Sequence, residues 1–117
     1  MTQPPALPFS KTRTLGGLVF LSGELPLGPD GAVPEGIEAQ TALTLRRIEA
    51  TLKSEGLTLA DVVSVTAYLV SPADFAAFNR VYAGVFAEPR PVRTTVRADL
   101  MRPGALLELT VVAGRPQ

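Results

Sequence analysis

The chain contains no cysteine and no histidine, and these two absences exclude much of the commonest enzyme chemistry. Without cysteine there is no disulfide, no thiolate nucleophile and no cysteine-ligated zinc. Without histidine the chain lacks the commonest general base and the commonest ligand of transition metals. A Ser-His-Asp or Cys-His site therefore cannot be assembled from this chain. Any catalysis must use carboxylates, arginine, lysine, tyrosine, hydroxyls, backbone groups and water, so we expect no metal site and no cofactor.

An excess of charge of one sign is also lacking. Lys and Arg together number 11, Asp and Glu number 11, and the net charge is +0. Proteins that bind nucleic acid through phosphate contacts normally carry a basic excess, so no nucleic-acid partner is predicted. No apolar run approaches the roughly 20 residues that span a bilayer, and residues 1–8 lack the pattern of a signal peptide. We expect a cytoplasmic protein without a membrane partner.

The length of 117 residues and a hydrophobic share of 46% predict one globular domain over residues 1–117. Two short strands, 9–14 and 18–22, are predicted around Gly16-Gly17, followed by a Gly- and Pro-rich loop. A first helix is predicted at 37–55, ended by Gly56, and a second after Ser71-Pro72, ending before 88–91. Their apolar stripes are Thr41, Leu45, Ile48 and Leu52 in the first helix, and Phe75, Phe78, Tyr82 and Val85-Phe86 in the second. The predicted strands that complete the chain are 62–70, 92–98 and 106–113.

The element order β-β-α-β-α-β-β predicts an α+β fold with two helices on one face of a sheet. Three of the predicted strands carry apolar residues on both faces. Two helices cover only one face, so we expect further copies of the chain to bury the other in a closed symmetric oligomer. The alternative is that these Val and Leu residues reflect β-propensity alone.

Arg93 lies at the start of the predicted strand 92–98. Pro89 and Pro91 stiffen the segment that leads into this strand. A guanidinium presents a planar fork of donors that matches a carboxylate, which makes Arg93 a candidate anchor for an acidic ligand. Residues at the start of a strand are often placed for binding. Taken alone, an arginine on a strand is more often a member of a surface or interface ion pair than a ligand anchor.

Glu108 is the one carboxylate in the otherwise apolar strand 106–113. An ionised group there needs a partner, or its pKa rises. Glu108 is therefore either a structural partner of an arginine or a group that holds and deprotonates a water.

Two further positions are candidates for ligand contacts. Ser22 precedes Gly23 at the end of a strand, where a hydroxyl and a close backbone approach are both available, although a turn at a strand end explains the pair too. Asn79 lies in the second helix beside Phe78 and Tyr82. Because Asn is unfavourable inside helices, it is either exposed or makes a specific hydrogen bond.

The ordered segments resemble one known family. The matching stretches are 17–23 (Gly-Leu-Val-Phe-Leu-Ser-Gly), Gln40-Thr41, 59–69, 74–79 with Val81-Tyr82, 91–96, and Glu108 with Ala113. In this order and spacing they are similar to the RidA family, also called YjgF or L-PSP, over nearly the whole chain.

The resemblance implies a chorismate-mutase-like fold and a homotrimer with clefts between subunits. It also implies cofactor-free hydrolysis of reactive 2-imino acids to 2-keto acids and ammonia. Arg93 matches the family arginine that binds the substrate carboxylate, and Glu108 matches the acid that positions the water. Ser22 and Asn79 match other pocket positions, and the backbone around Thr95 would face the imine or the product carbonyl. If Arg93 and Glu108 are close, the arginine charge would keep the carboxylate ionised.

The chain departs from the family pattern at three places. Phe9 stands where many members have Tyr, so a pocket contact at this position lacks the hydroxyl. Glu24 replaces a frequent Gln and adds negative charge near the expected site. The stretch from Asn79 to Arg93 is a few residues shorter, so the substrate range is open.

Three other functions compete with imine hydrolysis. A non-catalytic protein that binds small carboxylates would need the same arginine. A ribonuclease, an activity attached to the family name, is disfavoured by neutral charge, few aromatic residues and no histidine. A chorismate mutase has only the implied fold to support it.

Overall fold

The structure, a computed structural model, describes residues 7–115 and contains the seven elements in the predicted order. The strands are β1 (Thr12–Leu15), β2 (Leu18–Leu21), β3 (Val62–Leu69), β4 (Val92–Arg97) and β5 (Leu107–Gly114), and the helices are α1 (Ile37–Ser54) and α2 (Phe75–Val85). Most boundaries lie within one residue of the prediction. That residues 1–117 form a single domain stays a prediction, because residues 1–6 and 116–117 lie outside the described part.

The five strands form one mixed sheet in the order β1-β2-β5-β3-β4. Neighbouring strands are antiparallel except β3 and β4, which α2 connects as a parallel pair. Both helices pack on the same face of the sheet, and the core lies between the helices and the sheet. The predicted α+β class with two helices on one face is therefore confirmed.

Helix α1 follows from the spacing of its apolar residues. Thr41, Leu45, Ile48 and Leu52 form the predicted stripe and are all buried. The helix ends with Gly56 at φ +74°, where its N–H donates to the Lys53 carbonyl at 3.0 Å. The Leu57 N–H donates to the Leu52 carbonyl at 2.9 Å. This pair of bonds is a Schellman cap, which a glycine in the left-handed region permits.

The β1–β2 hairpin turns at Gly16 and Gly17, whose φ angles of 61° and 82° suit a type I′ turn. The first strand is shorter than predicted, because regular pairing begins at Thr12 rather than at residue 9. Upstream of it, the Ser22 hydroxyl donates to the Ser10 carbonyl at 2.6 Å. Phe9 is 58% exposed and packs into no strand.

Helix α2 is preceded by a separate 3₁₀ turn, Pro72–Asp74. As predicted, Ser71 caps this entry, since its hydroxyl accepts a hydrogen bond from the Ala73 N–H at 3.2 Å. Within the predicted apolar stripe Phe78 is buried, but Phe75 is 43% exposed. Phe75 is the exposed member of this stripe, because its ring lies beside Arg93 on the edge strand β4.

The face of the sheet opposite the helices is apolar near its edges and carries hydroxyl groups at its centre. Its exposed apolar side chains come from strand positions that alternate with the core: Leu15, Leu18, Phe20, Val63, Val92 and Val96. The inner strand β3, between β5 and β4, instead presents Ser64, Thr66 and Tyr68. The expectation that β3 and β5 are apolar on both faces was thus wrong for their centres. We call this surface the open face.

Among residues 7–115, neither helix combines the length and apolar character that crossing a membrane requires.

Candidate functional site

Arg93 lies on the helix side of β4, enclosed by aromatic rings of α2. Its guanidinium carbon is 4.7 Å from the ring centre of Tyr82, 5.3 Å from that of Phe78 and 5.8 Å from that of Phe75. Cation–π contacts of this kind contribute about 0.5–2 kcal/mol each. We call these three rings the aromatic cage. Arg93 has no ion pair within the described chain, so the structural ion-pair explanation fails there.

The orientation of β4 reverses the usual hydrophobic pattern. Arg93 pairs with Val65, and Thr95 pairs with Ala67, and both of these partners are buried beneath the helices. The apolar residues Val92 and Val96 face the open side instead. Because β4 is an edge strand with one neighbour, its helix side is covered only in part and can hold an arginine. The rings of the aromatic cage therefore contact the guanidinium, while Arg93 as a whole is only half-buried.

Tyr82 adds an unpaired polar group to the aromatic cage. Its hydroxyl is buried and has no hydrogen-bond partner among residues 7–115. Burial raises the pKa of Tyr82, and the nearby charge of Arg93 opposes that rise. The phenol is therefore neutral at physiological pH.

Asn79 and Thr95 lie next to the aromatic cage. Asn79 follows Phe75 by four residues on α2, which places the two side chains on one helix flank, and it is half-buried. Thr95 follows Arg93 by two residues, so the two share a face of β4. These placements bring three of the predicted site residues to one region of the subunit.

Glu108 lies on the open face, in a cleft of about 300 Å³. The cleft is lined by strand residues and by the loop that follows β4: Gly23, Tyr68, Ala98, Asp99, Leu100, Met101, Glu108 and Thr110. We call it the carboxylate cleft. Glu108 forms no ion pair within residues 7–115. Of the two explanations for Glu108, structural pairing with an arginine therefore has no support inside the subunit.

The environment of Glu108 disfavours its ionised form. Burial raises the pKa of its carboxyl group, and the negative charge of Glu24 raises it further. A carboxyl group in this state takes up and releases a proton closer to neutral pH than an exposed one, which suits general acid–base chemistry.

Gly23 provides the space that the Glu108 carboxylate occupies. A Cβ at residue 23 would overlap the Glu108 carboxylate, with the carboxyl carbon only 3.1 Å away. The pairing of β2 and its extension with β5 moves from Phe20↔Val112 to Glu24↔Leu109. Four steps along one strand thus match three along the other, which is the geometry of a β-bulge. The bulge places Gly23 against the carboxylate.

Ser22 and Phe9 line a second cavity of about 420 Å³ beside the bulge. The Ser22 hydroxyl already donates to the Ser10 carbonyl, so its donor holds the segment before β1. Phe9 contributes an exposed ring and no hydroxyl. Both residues lie beside Gly23, which also lines the carboxylate cleft.

Glu24 is held on the helix side of the same bulge. Its carboxylate accepts a hydrogen bond from Arg47 Nε at 2.6 Å, and Arg47 also donates to the Leu27 carbonyl at 2.7 Å. Its backbone pairs with Leu109 in both directions, at 2.8 and 3.1 Å. The added negative charge predicted at this position is therefore partnered, yet it still acts on Glu108.

The predicted residues fall into two groups on opposite faces of the sheet. Arg93 and Thr95 face the helices, whereas Glu108 faces the open side. The idea that Arg93 keeps Glu108 ionised was therefore wrong within one subunit, because the sheet separates them. The sequence did not predict that Phe75, Phe78 and Tyr82 contact Arg93, because their helical spacing is equally typical of core residues. Among residues 7–115, no cluster of three or more acidic side chains offers a metal site.

The fold and these two groups define a small α+β domain with candidate ligand sites on both faces of a mixed sheet. Residues 1–114 match the family model described as Endoribonuclease L-PSP. The chain belongs to this family, which is also called RidA or YjgF.

Individual relatives cover almost the whole chain. The 3-aminoacrylate deaminase RutC of Acinetobacter baylyi is 37% identical over 96% of this chain and 90% of its own length. A RutC family protein of Pyrococcus abyssi is 35% identical over 93% of this chain and 87% of its own. The crystal structure of Escherichia coli TdcF with bound serine superposes with a TM-score of 0.87 at 29% identity, covering 96% of this chain and 91% of that one.

Proposed function

We propose that the protein hydrolyses reactive 2-imino or 2-enamino acids to 2-keto acids and ammonia without a cofactor. The observation that carries the proposal is the complementarity of the two groups. One offers a guanidinium held in place by aromatic rings, and the other offers an unpaired carboxyl group whose pKa is raised. An imino acid presents a carboxylate for the first group and an electrophilic carbon for a water held by the second.

The two groups act together only if they come from different copies of the chain. We propose a homotrimer in which the aromatic cage of one subunit meets the carboxylate cleft of the next. The exposed apolar residues of the open face support burial against further copies, since a patch of this kind is unusual on a free monomer. Arg93, Thr95 and Asn79 would then serve one side of each site. Glu108, Ser22 and Phe9 would serve the other.

The reaction depends mainly on the orientation of the substrate and of one water, because an imine carbon is already electrophilic. Arg93 binds the substrate carboxylate and fixes the imine carbon, and the Glu108 carboxylate takes a proton from water as the oxygen attacks that carbon. The C=N electron pair of the protonated imine moves to nitrogen and gives a neutral carbinolamine. Protonated Glu108 then gives its proton to the nitrogen, and ammonia leaves. As the keto group forms, the hydroxyl group loses its proton to the Glu108 carboxylate, which releases that proton to water. Positioning of this kind can supply a large share of a rate enhancement.

The names of the relatives support this reaction class. RutC is named for the deamination of 3-aminoacrylate, an enamino acid. Serine, an amino acid with a free carboxylate, is bound in the TdcF structure. A small acidic metabolite is accordingly the proposed ligand, with no nucleic acid partner. A cytoplasmic location is part of the same proposal.

The test uses imines made in situ by an amino-acid oxidase and trapped by semicarbazide. Wild-type protein should reduce the trapped product in proportion to its concentration. Arg93→Ala should lower kcat/KM by about a hundredfold, because the charge-assisted carboxylate contact is lost. Arg80→Ala is the matched control, since Arg80 pairs at the surface with Glu38. Unchanged trapping by wild type, or equal activity of Arg93→Ala, would contradict the proposal.

A second candidate function is the binding of small carboxylates without catalysis. The serine in TdcF favours it, because an arginine that holds a carboxylate binds whether or not turnover follows. Glu108→Gln separates the two functions. An enzyme would keep pyruvate binding and lose turnover in this variant, whereas a binding protein would show equal binding and no turnover in either form.

A further inference from the structure

Tyr68 lies directly across from Glu108 on the neighbouring strand. The two residues are partners in the antiparallel register of β3 and β5. Side chains of such a pair project from the same face of the sheet with their Cβ atoms about 5 Å apart. Both are half-buried, and both line the carboxylate cleft. A phenol therefore stands across from the Glu108 carboxyl group on the neighbouring strand.

The carboxylate cleft is a gap of about 300 Å³ that both side chains line. Glu108 leans towards Gly23, on the β2 side of β5, whereas Tyr68 rises from β3 on the other side. The Tyr68 hydroxyl has no hydrogen-bond partner within residues 7–115. The cleft thus has room for a small polar molecule with Glu108 on one side and Tyr68 on the other.

No other nearby residue offers a free hydroxyl group from across the cleft. The Ser22 hydroxyl donates to the Ser10 carbonyl, and Phe9 has no hydroxyl. Thr110 also lines the cleft, but it extends from the same strand as Glu108 and cannot face it from across the gap. Tyr68 is the lining residue that approaches the gap from the opposite strand with a long side chain.

We propose that Tyr68 is the second residue that positions the attacking water in the carboxylate cleft. This inference rests on the proposed function and assigns it a residue. The water donates one hydrogen to the Glu108 carboxylate and the other to the Tyr68 hydroxyl oxygen. Its lone pair then points away from both and towards the imine carbon. As the C–O bond forms, the C=N pair moves to nitrogen and one water proton passes to Glu108, while Tyr68 keeps its own proton.

Tyr68→Phe tests the inference because it keeps the ring and removes only the hydroxyl. We expect kcat to fall by about tenfold to a hundredfold, the size of effect that misplacing a reacting group produces. KM should stay within about twofold, since the carboxylate anchor is Arg93. The melting temperature and the affinity for pyruvate should also be unchanged. A purely structural role would lower the melting temperature and would not separate kcat from KM in this way.

Thr66→Val is the matched control. Thr66 is on the same strand and face as Tyr68, two residues away, and does not line the cleft. This variant loses a hydroxyl and should keep wild-type kcat. If Tyr68→Phe turns over imine as fast as wild type and Thr66→Val, the inference is overturned and the proposed function stands. If wild type itself leaves the imine untouched, both proposals fall together.

Discussion

The arginine and the carboxyl group of the candidate site are held in opposite ways. Arg93 is stabilised where it lies, because three aromatic rings contact its guanidinium. Glu108 is destabilised as an ion, because burial and the charge of Glu24 both raise the pKa of its carboxyl group. An anchor benefits from a fixed permanent charge, whereas a proton-transfer group benefits from an ionised form that is easily neutralised. The contrast therefore suits the two different tasks that the proposed function assigns to these residues.

The largest expected effect comes from mixing two inactive variants. Arg93→Ala and Glu108→Gln each remove one group, so in the proposed homotrimer each variant alone should have little activity. In every mixed trimer of the proposed assembly one of the three sites, about a third, would pair an intact Arg93 with an intact Glu108 from the next subunit. Activity should therefore return to roughly that share of the wild-type value.

Separately tagged chains and purification of the doubly tagged assembly provide the measurement. Mixing the two homotrimers after assembly, without exchange of subunits, is the control and should recover nothing. Mixed assemblies that stay as inactive as their parents would show that the two groups do not meet across an interface.

An intermediate effect is expected from Gly23→Ala. The new Cβ would overlap the Glu108 carboxylate and push it from its place against the bulge. We expect kcat to fall by about tenfold, with binding of pyruvate kept, because only the water-holding side is disturbed. Gly114→Ala is the matched strand glycine, since its Cβ would meet Val63 at an ordinary 3.7 Å. Equal losses in both variants would mean that the effect is general rather than local to the carboxylate.

The smallest effect is a shift of the pH profile in Glu24→Gln. Removing this negative charge lowers the pKa of Glu108, while burial, the larger cause, remains. The ionised base is then present at lower pH, so the acidic limb of kcat/KM should move to lower pH. The profile of kcat/KM against pH measures this shift. Because Arg47 loses its partner, the melting temperature is followed in parallel.

The same substitution made in the Glu108→Gln background supplies the control. No acidic limb from residue 108 remains there, so residual activity should show no shift. A limb that moves to higher pH in Glu24→Gln alone would contradict the assigned direction.

The sequence predicted the parts of the fold that depend on local spacing. The α1 stripe, the Gly16-Gly17 turn and the Gly56 end all follow from short-range patterns that tertiary packing did not override. Glu108 was also recognisable, because a single carboxylate in an apolar strand either finds a partner or shifts its pKa. These features are set by residues within a few positions of one another.

The sequence could not predict which face each candidate residue occupies. In β4 the alternation of Val92 and Val96 with Arg93 would ordinarily place the valines inward, yet the edge position and the rings of α2 reverse it. The approach of Gly23 to Glu108 depends on a bulge between strands that are distant in sequence. Such facts arise from strand pairing, which local patterns do not encode.

The placement of Arg93 and Glu108 on opposite sides of one sheet also has a consequence for how the protein depends on its own abundance. In the proposed assembly an isolated copy holds two incomplete sites and no complete one. Specific activity would then follow the assembled fraction, and dilution would reduce it even though every chain stays folded. The imine-hydrolysing capacity of a cell would in that case rise more steeply than the amount of the protein.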